Sequence, residues 1–155
     1  LINLAHGEGY GLPIFEAAYS ALPVICPDWG GQLDFMYAPR KNKKGKFRSR
    51  PHFATVDYQL KPIQKQAVWK DVLEENSMWC FPSQGSYKME LRKMFKEYNR
   101  FKKQSKALKK HILDNFTEEE KYKEFVSHIE EYITPSASDQ DVDEMFNSLV
   151  EELEK

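Results

Sequence analysis

The sequence predicts an α/β fold: a short parallel sheet flanked by helices and followed by a helical C-terminus. Three observations carry this. Short apolar runs bounded by turn residues fall at 1–5, 23–26 and 78–81, the length of buried strands. The first run leads through glycines to Pro13, which suits the first turn of a helix because its missing N–H is not needed there. Beyond residue 86, apolar residues recur at helical spacing.

The elements follow in order. Residues 1–5, LINLA, read as the first strand, and Pro13 opens a helix. Pro23-Val-Ile-Cys26 reads as the second strand, Asp28-Trp-Gly-Gly31 as a turn, and Gln32 to Tyr37 as a short helix or extended piece. Residues 38–76 read as an insertion, longer than the usual connection. Within it, residues 40–50 carry seven basic residues and no acid. Such a run is a nucleic-acid or anionic-lipid patch, a solvated mobile loop, or a loop leaning over an anionic ligand. Phe47 alone interrupts it, too few aromatics for stacking on single strands, so a mobile loop without nucleic-acid binding is expected. Residues 52–64 have strand-like stretches, and 65–75 suit a short helix with Ala67, Val68, Val72 and Trp69 inward.

Ser77 to Pro82 reads as the third strand, leading to a turn with a cap at Ser86. Leu91, Met94, Phe95, Tyr98 and Phe101 form one helical stripe, continued by Leu108 and Ile112. Thr117 and Glu120 fit a capping box, opening a helix that buries Tyr122, Phe125, Val126 and Ile129. Residues 134–138 break the pattern. An acidic segment with Val142, Met145, Phe146, Leu149, Val150 and Leu153 on one side then forms an amphipathic helix. The expected division is 1–133 and 134–155.

The 155 residues carry a net charge of −1, and no apolar run approaches a membrane span of about 20 residues. Neither a signal peptide nor metal-ligand spacing is visible, and a cytoplasmic protein is expected. Cys26 and Cys80 make no disulfide framework, and the four histidines are scattered.

Chemistry concentrates in the segment EGYGLPIFEA, residues 8–17. Glu8 stands on a glycine turn and Glu16 about one helical turn beyond Pro13. Both carboxylates can face one pocket, where the positive end of the helix attracts an anion such as a diphosphate. Two glutamates near a turn are also ordinary surface charges, and one can simply favour a helix start.

The segment resembles the donor-site signature E-G-F-G-L-P-x-x-E-A of retaining glycosyltransferases with the GT-B fold, the group 1 glycosyl transferases, with Tyr10 in place of phenylalanine. The following ALPVICPDWGGQLDF looks like their G-x-P-V-I…G-G-x-x-E stretch, with Ala21 where glycine is usual and Asp34 where glutamate is usual. The likeness is dense over residues 3–34 and diffuse over 56–130. It implies a Rossmann-like fold and transfer of a sugar from a nucleotide-sugar, with retention of configuration and without a required metal. It also implies that Glu8 bonds hydroxyls of the donor sugar as the catalytic-site carboxylate. The backbone of Gly9, Tyr10, Gly11 and Leu12 approaches sugar and phosphates, and Glu16 bonds the ribose. The Gly30–Gly31 loop lies near the donor.

A GT-B enzyme has two Rossmann-like domains, and 155 residues make one ordinary domain. The expectation is therefore a fragment, the second half of the donor-binding domain. The N-terminal domain would be a missing partner and the acceptor an unknown sugar, lipid or protein glycan. In a doubly wound sheet of order 3-2-1-4-5-6 the three strands would be 4, 5 and 6. The isolated chain should self-associate and transfer no sugar. The alternatives are a non-catalytic nucleotide- or nucleic-acid-binding module, and an epimerase or phosphorylase of the same fold.

Overall fold

The computed structural model describes residues 1–132; the apolar stripe expected at 142–153 lies outside them. Leu1–Thr117 forms one compact unit, and Glu118 opens a second. The first unit mixes helices with a parallel strand pair and two antiparallel pairs. Its helices are α1 (Leu12–Tyr19), α2 (Leu33–Met36), α3 (Gln84–Lys96) and α4 (Tyr98–Asn115). Its strands are β1 (Ile25–Pro27), β2 (Tyr37–Lys41), β3 (Phe47–Pro51), β4 (Ala54–Val56), β5 (Tyr58–Pro62) and β6 (Met78–Pro82).

The parallel pair is β1 with β4, in the register Ile25–Ala54 and Cys26–Thr55. All three residues of β1 are buried, as befits a strand covered on both faces. The N-terminal run joins through a parallel bridge between Ile2 and Ile25, with Asn3 N–H on the Ile25 carbonyl at 3.0 Å. The third expected parallel strand is corrected. Residues 78–82 pair antiparallel with β5, Tyr58 opposite Pro82 and Leu60 opposite Cys80. A short apolar run signals burial but not the direction of its partner. The run at 78–82 still touches the N-terminal segment, since Cys80 N–H donates to the His6 carbonyl at 3.0 Å.

One core lies where α1, α2 and α4 meet the sheet. It holds Ile14, Ala18, Val24, Cys26, Phe35, Met36, Leu108 and Ile112, all nearly inaccessible. A second, around Ile25, Ala54, Val56 and Phe101, is closed by Leu4, Tyr87 and Met94. The C-terminus of α1 shows why glycine is usual at position 21. Leu22 N–H bonds the Ala17 carbonyl at 2.8 Å and Ala21 N–H the Ala18 carbonyl at 3.0 Å. That pairing places Ala21 in the left-handed region, φ 58, the position glycine takes in such helix ends. Ser105 Oγ, from α4, donates to the Ala21 carbonyl at 2.8 Å and secures the turn.

Several expectations fail for identifiable reasons. Residues 40–50 form a β-hairpin rather than a coil. Asn42 Oδ1 accepts from the N–H groups of Lys44 and Lys46 at 2.9 and 3.0 Å, while Gly45 takes φ 78. Asparagine and glycine supply the turn, and the hairpin leans on α4 through Gln104 Nε2, which donates to the Pro51 carbonyl at 2.7 Å. Residues 65–75 make one 3₁₀ turn, Lys65–Ala67, and then a tight reversal in which Trp69 and Leu73 exchange backbone bonds. Asp71 at φ 65 ends any helix there, and Val68, Trp69 and Val72 are exposed.

The helix after residue 83 is capped by Ser83, whose Oγ accepts from Ser86 N–H at 3.4 Å. Ser86 instead takes the Asp57 N–H at 3.0 Å, tying α3 to the end of β4. The stripe from Leu91 to Phe101 is interrupted at Glu97, φ −111 and ψ 28. The change of direction leaves Leu91, Phe95 and Tyr98 exposed while Phe101 enters the core. In the second unit, α5 (Glu118–Ile129) exposes Tyr122, Phe125 and Val126, which the spacing had placed inside. Its charges pair along its own surface, Lys123 with Glu119 at 3.1 Å among them.

Candidate functional site

The turn from Glu8 to Leu12 is built by close approach of two backbone segments. Gly31 N–H donates to the Glu8 carbonyl at 3.1 Å. A Cβ on Gly31 would fall on the Gly9 carbonyl oxygen, 2.8 Å from its carbon and 3.4 Å from Tyr10 Cα. Only glycine lets the two loops touch. Gly30, at φ 112, has the Gln32 side chain packed against it and leaves no room for a Cβ either. The Gly30–Gly31 loop therefore lies directly beside the Glu8 turn. Proximity of that loop to a donor rests on the resemblance.

Gly11 starts α1 with φ 83, and Pro13 sits in the first turn. The N–H groups of Ile14 and Phe15 both return to the Gly11 carbonyl at 2.9 Å. Pro13 has none to offer, and no internal hydrogen bond among the described residues takes those of Gly11 or Leu12. Two backbone donors thus remain at the positive end of an eight-residue helix.

The two carboxylates behave differently. Glu8 is half-buried, and its Oε1 accepts from Asn3 Nδ2 at 2.7 Å. Asn3 is itself fixed, because its Oδ1 accepts the Ala5 N–H at 2.9 Å. Asn3 is a positioning residue that sequence reasoning missed; an asparagine in the middle of an apolar run was the available signal. Glu16 is exposed on α1, and its carboxylate has no hydrogen bond or ion pair among the described residues.

Beneath the turn, Tyr10, Phe15 and Phe35 interlock with centroids 5.1–5.6 Å apart, and Phe116 meets Phe35 edge-on at 6.3 Å. Such geometry adds directional stabilisation to burial. Gln32, also missed, is 2 % exposed. Its Nε2 donates to the Trp29 carbonyl at 2.5 Å, and its Oε1 is buried without a partner. Cys26 is buried at the same place. Desolvation first, then the Asp28 charge, pushes its thiol up to about 12 despite an opposing bond to Gln32, so it is no nucleophile at neutral pH. Asp28 accepts from the Tyr37 hydroxyl at 2.8 and 2.9 Å.

Elsewhere, His6 donates from Nδ1 to the Cys80 carbonyl at 2.7 Å and stacks on Trp79 at 5.2 Å. His111 accepts an Asn115 contact at 3.1 Å beside Phe116. Both are structural in these surroundings. Among the described residues, no group of three or more His, Cys, Asp or Glu side chains could hold a metal ion, and no helix is long and apolar enough to cross a membrane.

Comparison with known proteins adds no assignment: no family model, no curated protein and no solved structure matches the chain.

Proposed function

We propose that the chain binds a nucleotide-sugar at the Glu8–Leu12 turn and forms part of a retaining GT-B glycosyltransferase of the kind its motif resembles. The observation that carries this reading is the turn itself. Glu8 is oriented by Asn3 on one side, Glu16 is free on α1, and unspent N–H groups at Gly11 and Leu12 lie between them in sequence. That set suits a ligand with hydroxyl groups at both ends and an anion in the middle. Glu8 accepts hydrogen bonds from hydroxyls of the sugar. The two N–H groups and the helix end face the diphosphate, whose negative charge grows as it leaves. Glu16 accepts from the ribose. Retention and independence of a metal follow from the resemblance alone.

Calorimetric titration of UDP-, GDP- and ADP-hexoses tests the reading. One of them should bind, and Glu16→Ala should weaken it by about 1.5–3 kcal/mol, the range for a hydrogen bond to a charged group. The fold should be untouched, because Glu16 is exposed. Equal affinity in both proteins removes Glu16 from the site, and no binding of any donor to the unmodified chain refutes the proposal.

A further inference from the structure

The hairpin β2–β3 places like charges where sheets ordinarily avoid them. Arg40 lies directly opposite Arg48, and Arg50 opposite Ala38. Pairs across an antiparallel ladder share a face, and alternate residues along each strand share it too. Arg40, Arg48 and Arg50 therefore line one face, while Lys41 and Phe47 occupy the other, with Lys41 Nζ 5.5 Å from the Phe47 ring centre. Directly opposed like charges destabilise a strand pair. Among the described residues, none of the seven basic residues between 40 and 50 forms an ion pair that would offset them.

The arginines also border a hollow. Arg40, Arg48 and Arg50, with Lys41, Lys43 and Asn42, surround a space of about 450 Å³. Arg40 and Pro51 also line a smaller one of about 180 Å³, together with Lys93, Arg100 and the Glu90 carboxylate that pairs with Lys93. A guanidinium presents two parallel N–H groups to a phosphate, whereas an ammonium offers only a point charge. Three guanidinium groups on one face of an antiparallel ladder suit clustered phosphates in a concave site. A nucleic-acid strand fits less well, because the hairpin's two aromatic residues, Tyr37 and Phe47, lie on the opposite face and offer the bases no stacking surface there.

We propose that the Arg40–Arg48–Arg50 face binds a ligand carrying two or more clustered phosphate groups, either a soluble polyphosphorylated molecule or a lipid headgroup. The site rests on the hairpin alone and does not depend on the nucleotide-sugar reading. Inorganic tripolyphosphate, titrated calorimetrically into the full chain, is the probe. Arg40→Gln, Arg48→Gln and Arg50→Gln combined should weaken binding about tenfold or more. Removing charges from the tip outside the hollow, with Lys44→Gln and Lys46→Gln, should change it by about threefold at most. Loss of the opposed charges leaves the hairpin folded, and an undiminished unfolding midpoint of the arginine variant checks this.

A second variant, with all three arginines changed to lysine, keeps the charge but loses the forks and should bind more weakly than the parent. Phosphatidylcholine vesicles doped with a lipid bearing clustered phosphates separate the two sources. Binding in solution identifies a soluble ligand, and binding only on vesicles a headgroup, provided the arginine variant loses either one. Equal loss in the arginine and tip variants, full binding by the lysine variant, or no binding of either probe overturns the site. So does tighter binding of a single-stranded oligonucleotide than of tripolyphosphate.

Discussion

The Glu8 turn and the basic hairpin belong to the same compact unit, yet opposite physics shapes them. The turn is held by what is absent: Gly31 has no side chain, so a second backbone can lie against it, and Phe35 seals the floor. Its hydrogen-bonding atoms are set by covalent geometry. The hairpin is held by its ladder and an asparagine–glycine turn, while its side chains repel one another. The difference teaches where to look for rigidity. A site made of backbone tolerates almost no change at its contact points, and a site made of side chains on a regular ladder can lose any one of them and still fold.

The largest effect should come from the floor of the turn. Phe35 is fully buried against Tyr10, Phe15 and Phe116, so Phe35→Ala should cost about 3–5 kcal/mol, the range for deleting a buried aromatic ring. Phe47, 65 % exposed on the hairpin, is the matched control, and Phe47→Ala should fall within about 0.5 kcal/mol. Urea unfolding of both variants makes the comparison. Similar losses would mean that the hairpin is as much a part of the core as the turn.

Next come two glycines that the motif treats alike and the structure does not. An added Cβ at Gly31 collides with the Gly9 backbone, whereas one at Gly9 has nothing within 4 Å. Gly31→Ala should therefore destabilise by about 1–3 kcal/mol or more through overpacking. Gly9→Ala should leave stability within about 0.5 kcal/mol and weaken nucleotide-sugar binding only. If Gly9→Ala unfolds the chain while Gly31→Ala does not, the contact between the two loops is misassigned.

These two glycines also mark how far the sequence could be read. Glycine turn and helix start were legible because each signal is local: Gly11 supplies a left-handed φ and Pro13 a ready helical one, whereas the strand expected at 1–5 is reduced to one bridge at Ile2. The nearness of Gly30 and Gly31 to the turn came from the resemblance, and the contact that makes Gly31 necessary spans more than twenty residues of chain. Partners of β4 and β6 were not legible, since apolar runs at 54–56 and 78–82 carry no record of strand direction. The hairpin was hidden by its own composition, although Asn42 and Gly45 gave the turn signal. On α3 and α4 the spacing was right, but the break at Glu97 changed which residues it buried.

A smaller effect lies at the base of the hairpin. His52 follows β3, donates its Nδ1–H to the Arg50 carbonyl at 2.8 Å, and is 6 % exposed. Burial lowers its pKa from 6.5, the Arg50 carbonyl opposes this, and Arg40 and His111 add to the lowering. The unfolded chain then binds a proton that the folded chain resists, so stability falls as the pH drops below 6.5 and levels off below the folded value. The slope cannot exceed about 1.4 kcal/mol per pH unit for one group. Unfolding titrations at pH 7 and about 5 should show a smaller acid loss for His52→Gln than for the parent. Equal losses would assign the acid sensitivity to other groups.

The smallest expected effect has the opposite sign and tests the charge repulsion directly. Arg48 faces Arg40 across the ladder and is exposed. Arg48→Thr removes the repulsion and places a β-branched residue in a strand, where it fits well. Cross-strand pairs of this kind contribute about 0.2–1 kcal/mol, so the variant should be more stable than the parent by an amount in that range. Because the repulsion is electrostatic and solvent-exposed, the gain should shrink as salt is added and the Debye length falls from about 10 Å at 0.1 M to about 3 Å at 1 M. Thermal unfolding of parent and variant at low and high salt measures both. A loss of stability, or a gain that persists unchanged at high salt, would show that Arg40 and Arg48 do not oppose each other as the register requires.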